Sequence, residues 1–246
     1  MNRGKIPAAR LSGFLSVWAV ILFTLAAAVY GTAGDGGLLA AKMLQYAPPE
    51  TTGLPETEYP GMARMIAGYL TEKEDTFQYT FSDPEGRTYV CFQSHEADHM
   101  ADCRGLICLA GRLRTVFGGV CLFLAAAGMI FRRRAAFAGG MLSGLYAAGF
   151  VITGILIWAL ADFDGLFTAF HRAAFTNEGW LLNPRTDLLI RLMPVNFFVA
   201  LGAGIMIRAV LAGLVTAGAA VLLRFRKGKT GTAEISEAGR TKNGGT

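Results

Sequence analysis

Charge is scarce in this sequence. Asp, Glu, Lys and Arg make up 17% of its 246 residues, against about 25% in a typical soluble domain, while hydrophobic residues make up 53%. A soluble core of this length needs no such apolar excess, so an ordinary water-soluble domain is excluded. The shortage is also uneven. Leu11–Ala33 and Phe137–Ala161 hold no charged residue, Leu113–Phe131 holds only Arg114, and Val195–Leu223 holds only Arg208. About 20 apolar residues cross a hydrocarbon core of about 30 Å at roughly 1.5 Å per helical residue, so these are four membrane spans. Two-residue alternation is absent from them, which excludes barrel strands and leaves helices that satisfy their own backbone hydrogen bonds.

Cysteine is also sparse. The four cysteines, Cys91, Cys103, Cys108 and Cys121, form no CxxC, so neither a redox pair nor a zinc knuckle is indicated. Cys103 and Cys108 are five apart and point in different directions on a helix, while a Cys91–Cys103 bond is left open. No internal repeat is evident.

Basic residues set the orientation, because short loops rich in Lys and Arg stay cytoplasmic. They flank the spans at Arg3, Lys5 and Arg10, at Arg132-Arg133-Arg134, and at Arg224, Arg226, Lys227 and Lys229. Both termini are therefore expected in the cytoplasm. The segment 34–112 carries six basic and twelve acidic residues and is the natural translocated domain. The formal net charge of +5 is thus topological and implies no nucleic-acid partner. The first span has the basic flank and small-residue end of a signal peptide, but its apolar run exceeds the roughly 7 to 15 residues of one, and it is read as a retained helix.

The expected architecture is a four-transmembrane-helix bundle with a small extracytoplasmic α/β cap. Its order is a cytoplasmic N-terminus at 1–10, spans at 11–33, 113–131, 137–161 and 195–223, the cap at 34–112 and a cytoplasmic loop at 132–136. An outer loop at 162–194 and a disordered, Gly-rich cytoplasmic tail at 224–246 complete it. Within the cap, residues 61–70 read as a helix. Thr76–Ser82 and Arg87–Gln93 read as a hairpin about the turn Asp83-Pro84-Glu85-Gly86, and Ser94 as a cap for a helix running through His99. In the outer loop, Phe167, Phe170, Phe175 and Trp180 suit the headgroup level of the outer leaflet.

All three histidines lie in the two outer segments, and imidazole is the side chain best poised for proton transfer near neutral pH. His95-Glu96-Ala97-Asp98-His99 matches HExxH, in which two imidazoles one turn apart hold zinc and the Glu activates water; His171 could supply a third ligand. A zinc-dependent membrane hydrolase is therefore one reading, and a non-catalytic membrane scaffold another.

The longer context points elsewhere. Glu96-Ala97-Asp98-His99-Met100-Ala101-Asp102, just before the second span, resembles the E-x-x-H-M-x-D signature of lipoprotein intramolecular transacylases. Phe170-His171, Phe175, Trp180-Leu181, Asn183-Pro184, Asp187, Leu189-Ile190, Pro194 and Phe197-Phe198 resemble that family's second block, between its third and fourth spans. Cys103 departs from the pattern where a valine is expected, and Val195-Asn196 where acidic residues are frequent.

The resemblance implies a multi-pass enzyme of the bacterial cytoplasmic membrane. It would move an acyl chain from the diacylglyceryl group of an outer-leaflet lipoprotein to the α-amine of that protein's N-terminal cysteine, giving a lyso-form, with no cofactor or metal. His99 and His171 match the family's essential pair, whereas His95 matches no motif position. Glu96 or Asp102 would orient an imidazole, with Asp102 equally a local cap or a partner for Arg104, and Trp180 and Asp187 would organise the loop. Arg208 stands apart, near the middle of the fourth span by residue count. A charge there must face the bundle, a cavity or a lipid phosphate, or else snorkel outward.

Overall fold

The structure is a computed structural model, and it describes residues 5–130 and 134–225. Residues 1–4, 131–133 and 226–246 lie outside the described part, and with them most of the basic flanks and the tail expected to be disordered.

Among the described residues four helices are long and apolar enough to cross a membrane: α1 (Lys5–Ala33), α5 (Ser94–Ile130), α6 (Arg134–Ala161) and α9 (Val195–Phe225). Helix α1 is the hub, packed against α5, α6 and α9. Its small and branched residues Ala9, Val17, Ala19, Ile21, Ala26 and Ala28 are buried there. Glycines let α6 approach α1 backbone to backbone. A Cβ on Gly140 would overlap the carbonyl oxygen of Arg10, one on Gly13 would overlap that of Phe137, and one on Gly144 would crowd Phe14 and Val17. Gly140 and Gly144, four apart, form the small-xxx-small face that membrane helices use where apolar burial supplies little drive to associate. The outward faces are correspondingly bare, with Phe150 83% and Leu160 88% exposed, an arrangement that lipid tolerates and water does not.

The segment between α1 and α5 folds as α2 (Gly36–Tyr46), α3 (Pro49–Thr52), a 3-10 turn at Glu56–Glu58, α4 (Tyr59–Leu70) and the hairpin of β1 (Thr80–Ser82) and β2 (Thr88–Val90). The cap is thus mostly helical, and its β part is a single two-stranded antiparallel sheet in the register Thr80↔Val90, Phe81↔Tyr89, Ser82↔Thr88. The hairpin is shorter than the aromatic and β-branched composition predicts. Phe77 and Phe92 are buried in the cap core instead, and the Gln78 amide replaces a strand neighbour. Its Nε2 donates to the Phe92 carbonyl at 3.0 Å and its Oε1 accepts the Phe92 N–H at 3.3 Å. The turn is as read, with Asp83 accepting from the Arg87 N–H at 2.8 Å and Gly86 at φ +81.

Tyr59, Met43, Met62, Ile66, Leu192 and Phe197 are fully buried in one core. That core therefore joins the cap to α8 (Leu188–Leu192) and to the first turn of α9, and Met100 of α5 contributes to it. Helix α5 runs unbroken for 37 residues, about 55 Å, longer than the hydrocarbon core requires, with its charged residues concentrated in the first half. All four cysteines are free thiols.

Candidate active site

Three elements converge on the site: the first turns of α5, the helix α7 (Phe163–Ala174) and the loop that follows it. Asp162 caps α7 by accepting the Gly165 N–H at 2.8 Å. Spacing of four then puts Phe163, Phe167 and His171 on one face, and the Phe167 and His171 rings lie 4.1 Å apart.

His99 from α5 and His171 from α7 meet with ring centroids 6.2 Å apart, and both are buried. Aromatic rings wall them in. Phe175 lies 5.4 Å from His99 and 5.5 Å from His171, and Trp180 lies 5.0 Å from His171. A cavity of about 210 Å³ opens beside them, lined by Arg172, Phe175, Asn177, Glu178, Trp180 and Leu181 among others.

Burial pushes both imidazoles below their ordinary value, and for His99 the neighbouring His171 pushes further, against the pull of Asp102. At neutral pH both rings are therefore unprotonated bases. For His171 the tautomer follows from its partner. Its Nδ1 lies 2.8 Å from the Phe167 carbonyl oxygen, which can only accept, so Nδ1 carries the proton and Nε2 keeps its lone pair. His99 Nε2 lies 3.6 Å from the Cys103 thiol, whose pKa burial, with a smaller push from Asp102, raises to about 12.

The other candidates fall into distinct roles. Glu96 is fully buried, and neither oxygen contacts an imidazole. Its Oε2 accepts the Gln93 N–H at 2.8 Å, closing the N-terminus of α5 as the third residue of a capping box does, and its Oε1 accepts the Leu189 N–H at 2.7 Å. The helix cap expected from Ser94 is thus supplied by Glu96. Asp102 accepts from Asn177 Nδ2 at 2.8 Å, tying α5 to the loop after α7, while Arg104 stacks on Tyr69. Asp187 is buried and accepts from the Asn183 N–H, the Thr186 hydroxyl and His95 Nε2 at 2.8, 2.7 and 3.0 Å. Arg208 donates to Thr32 at 2.9 Å, one residue before the end of α1. Its guanidinium therefore reaches the end of α1 that adjoins the cap, the side on which Phe197 of α9 enters the cap core.

The HExxH residues diverge. His95 is held by Asp187, Glu96 by two backbone amides, and His99 faces His171; among the described residues no three His, Cys, Asp or Glu side chains converge as a metal site. Two features escape a reading of residue types. Phe167 and Phe175, suited to the membrane surface by composition, wall the histidine pair, and Asn177 bridges to Asp102. The four-residue spacing of His99 and Cys103 was the one available hint of their contact.

A family model described as "Lipoprotein intramolecular transacylase Lit" matches residues 14–198. Among solved structures, that of the membrane integral lipoprotein intramolecular transacylase Lit from Bacillus cereus superposes with a TM-score of 0.67 at 17% identity, over 89% of this chain and 95% of that one. A variant of the same protein with one histidine replaced by arginine superposes with a TM-score of 0.63 at 16% identity, over 96% of this chain and 95% of that one. At such identities the likeness is one of fold. No curated protein sequence matches.

Proposed function

The chain belongs to the lipoprotein intramolecular transacylase family, and from that premise we propose that His99 and His171 are the acid/base pair of an O-to-N acyl transfer. The acyl chain leaves the diacylglyceryl group of a lipoprotein's N-terminal cysteine and joins that cysteine's α-amine. The observation that carries this reading is the buried approach of His99 to His171, at a ring separation of 6.2 Å.

With an ordinary pKa of about 8, the amine reacts through its unprotonated fraction, and its nitrogen must shed one further proton as the new C–N bond becomes an amide. His171 Nε2 is the acceptor. As the amine nitrogen attacks the ester carbonyl carbon, the proton passes to Nε2, and the Phe167 carbonyl at Nδ1 supports the imidazolium. Collapse of the tetrahedral intermediate breaks the bond between the carbonyl carbon and the glycerol oxygen, which takes the proton from His171 directly or through His99. The pair holds one proton during the cycle rather than two, because adjacent imidazolium charges repel. Joining amine and ester in one molecule supplies proximity worth about 7–11 kcal/mol when the geometry is good. Phe167, Phe175 and Trp180 exclude the water that would turn transfer into hydrolysis.

We place the pair on the extracytoplasmic side of the bacterial cytoplasmic membrane, where a lipoprotein's N-terminus lies, with both termini of the chain cytoplasmic. Support for this orientation comes from the basic flanks and the acidic balance of segment 34–112.

The test is acyl migration in a diacylglyceryl lipopeptide with a free N-terminus, followed by mass spectrometry. Migration leaves the mass unchanged, while hydrolysis adds water and releases fatty acid, which would sink the transfer reading. Alanine at His99 or His171 is expected to lower turnover by about 10²–10⁴-fold, the usual contribution of general acid/base catalysis, and alanine at His95 is not. Loss of activity together with bound zinc in the His95 variant would instead restore the hydrolase reading.

A further inference from the structure

At the end of the bundle remote from the histidine pair, where α1 and α6 begin, a groove of about 380 Å³ lies between the two helices, lined by Arg10, Leu11, Phe14, Gly139, Gly140 and Ser143. We propose that this groove binds one phospholipid with a net negative headgroup.

Glycine makes the groove. Gly140 carries the close contact with the Arg10 backbone, while a Cβ at Gly139 would meet nothing within 4 Å, so the adjacent position is open space. The floor and walls are apolar, with Leu11 58% exposed, and Ser143 and Arg10 are exposed polar groups beside them. An apolar recess beside an exposed cation at the end of a membrane-spanning bundle suits a lipid, whose chain covers the apolar part while its headgroup meets the charge.

Charge selects the lipid. No Asp or Glu occurs between Met1 and Gly34, or between Cys103 and Ala161, so neither wall of the groove nor its flanks can supply a carboxylate. Among the described residues no ion pair involves Arg10. Its planar fork of N–H donors meets no carboxylate among the described residues, and a phosphodiester matches it in shape and sign. A zwitterionic headgroup would bring the same phosphate together with an ammonium that finds no acidic partner on either wall. An anionic headgroup has no such penalty.

The experiment uses the purified full chain, stripped of lipid in neutral detergent and titrated with phosphatidylglycerol or phosphatidylcholine, with bound lipid counted by native mass spectrometry. One phosphatidylglycerol per chain is expected to be retained at least tenfold more tightly than phosphatidylcholine. Arg10→Gln removes the charge, and Gly139→Leu fills the recess without touching the helix contact. Each is expected to weaken phosphatidylglycerol tenfold or more while leaving acyl transfer in detergent unchanged, which shows that the variant is folded. Equal retention of the two lipids, unchanged retention in both variants, or displacement by millimolar inorganic phosphate would overturn the proposal. None of these outcomes bears on the histidine pair, which is assayed by acyl migration.

Discussion

Glu96, on the first turn of α5, accepts the backbone N–H of Leu189, 93 residues further along the chain, at 2.7 Å. The same carboxylate accepts the Gln93 N–H with its other oxygen, so one buried side chain closes the start of α5 and fastens the start of α8 to it. Two neighbouring contacts reinforce the seam: Gln93 Nε2 donates to the Thr186 carbonyl at 3.1 Å, and His95 pairs with Asp187. The cap and the segment between α6 and α9 are thereby locked in register, and His99 lies one turn beyond the lock on the same helix.

Replacing Glu96 tests that seam. Alanine leaves the buried Leu189 N–H and the part-buried Gln93 N–H without their carboxylate acceptor, and charged hydrogen bonds of this kind are worth about 1.5–3 kcal/mol each, less at the wetter Gln93. Glutamine restores an acceptor to one amide but presents its NH₂ to the other. Glu96→Ala is expected to lower the melting temperature in detergent markedly, and Glu96→Gln by a lesser amount. An unchanged melting temperature for Glu96→Ala would contradict the structural role.

The pH dependence of turnover follows from the burial of the histidine pair. A base works in its neutral form, and burial, with mutual repulsion added at His99, holds both rings below the ordinary imidazole value. The substrate amine, with a pKa of about 8, already costs tenfold in rate per pH unit below that value. Protonation of the pair is expected to add a second tenfold per unit only below about pH 6.5. A profile of kcat/KM for a diacylglyceryl lipopeptide between about pH 4.5 and 9 checks this. A second break above the ordinary imidazole value would speak against a desolvated pair.

His95 predicts the opposite dependence, in stability rather than rate. Its hydrogen bond to Asp187 raises its pKa, and although burial pushes Asp187 upward, the hydrogen bonds from Thr186, Asn183 and His95 hold that carboxyl below its ordinary range. A raised histidine pKa stabilises the fold fully below the unfolded value of about 6.5, and the stabilisation is lost as pH rises through the higher folded value. His95→Ala is expected to lower the melting temperature at about pH 5.5 and to have a smaller effect at about pH 9. Thermal unfolding of both proteins at the two pH values measures the difference.

Much of this was legible in residue types and spacing, and the remainder depended on side chains choosing partners. Charge-poor runs marked the four helices long enough to cross, because a bilayer demands length and apolarity whatever the tertiary contacts. His99 and His171 stood out as the histidines in matching blocks. Three things did not follow. The hairpin shortened because Phe77 and Phe92 had a core to enter and Gln78 could stand in for a strand, a choice β-propensity does not weigh. Glu96 went to two backbone amides rather than an imidazole, since its partner Leu189 is remote in sequence. Arg208 reaches Thr32 at the end of α1, a contact between helices remote in sequence that counting along α9 does not reveal.

The contact between α1 and α6 provides the remaining prediction. The two backbones touch through Gly13, Gly140 and Gly144, and a Cβ at Gly140 would overlap the Arg10 carbonyl oxygen, a backbone atom that cannot rotate away. Relief requires the helices to separate along their shared face, where Val17, Phe137 and Met141 are buried. The loss falls on packing, which is the main attraction between helices in lipid. Overpacking of this kind costs about 1–3 kcal/mol in soluble cores. Gly140→Leu is therefore expected to lower thermal stability in detergent more than Gly139→Leu, although the two positions are adjacent and the substitution is the same. Because α1 also carries the contacts to α5 and α9, the variant should lose acyl transfer as it loses folded protein, with the activity per folded molecule preserved. Comparing the two leucine variants by melting temperature, and by activity normalised to folded protein, separates a packing defect from an effect on the remote histidine pair.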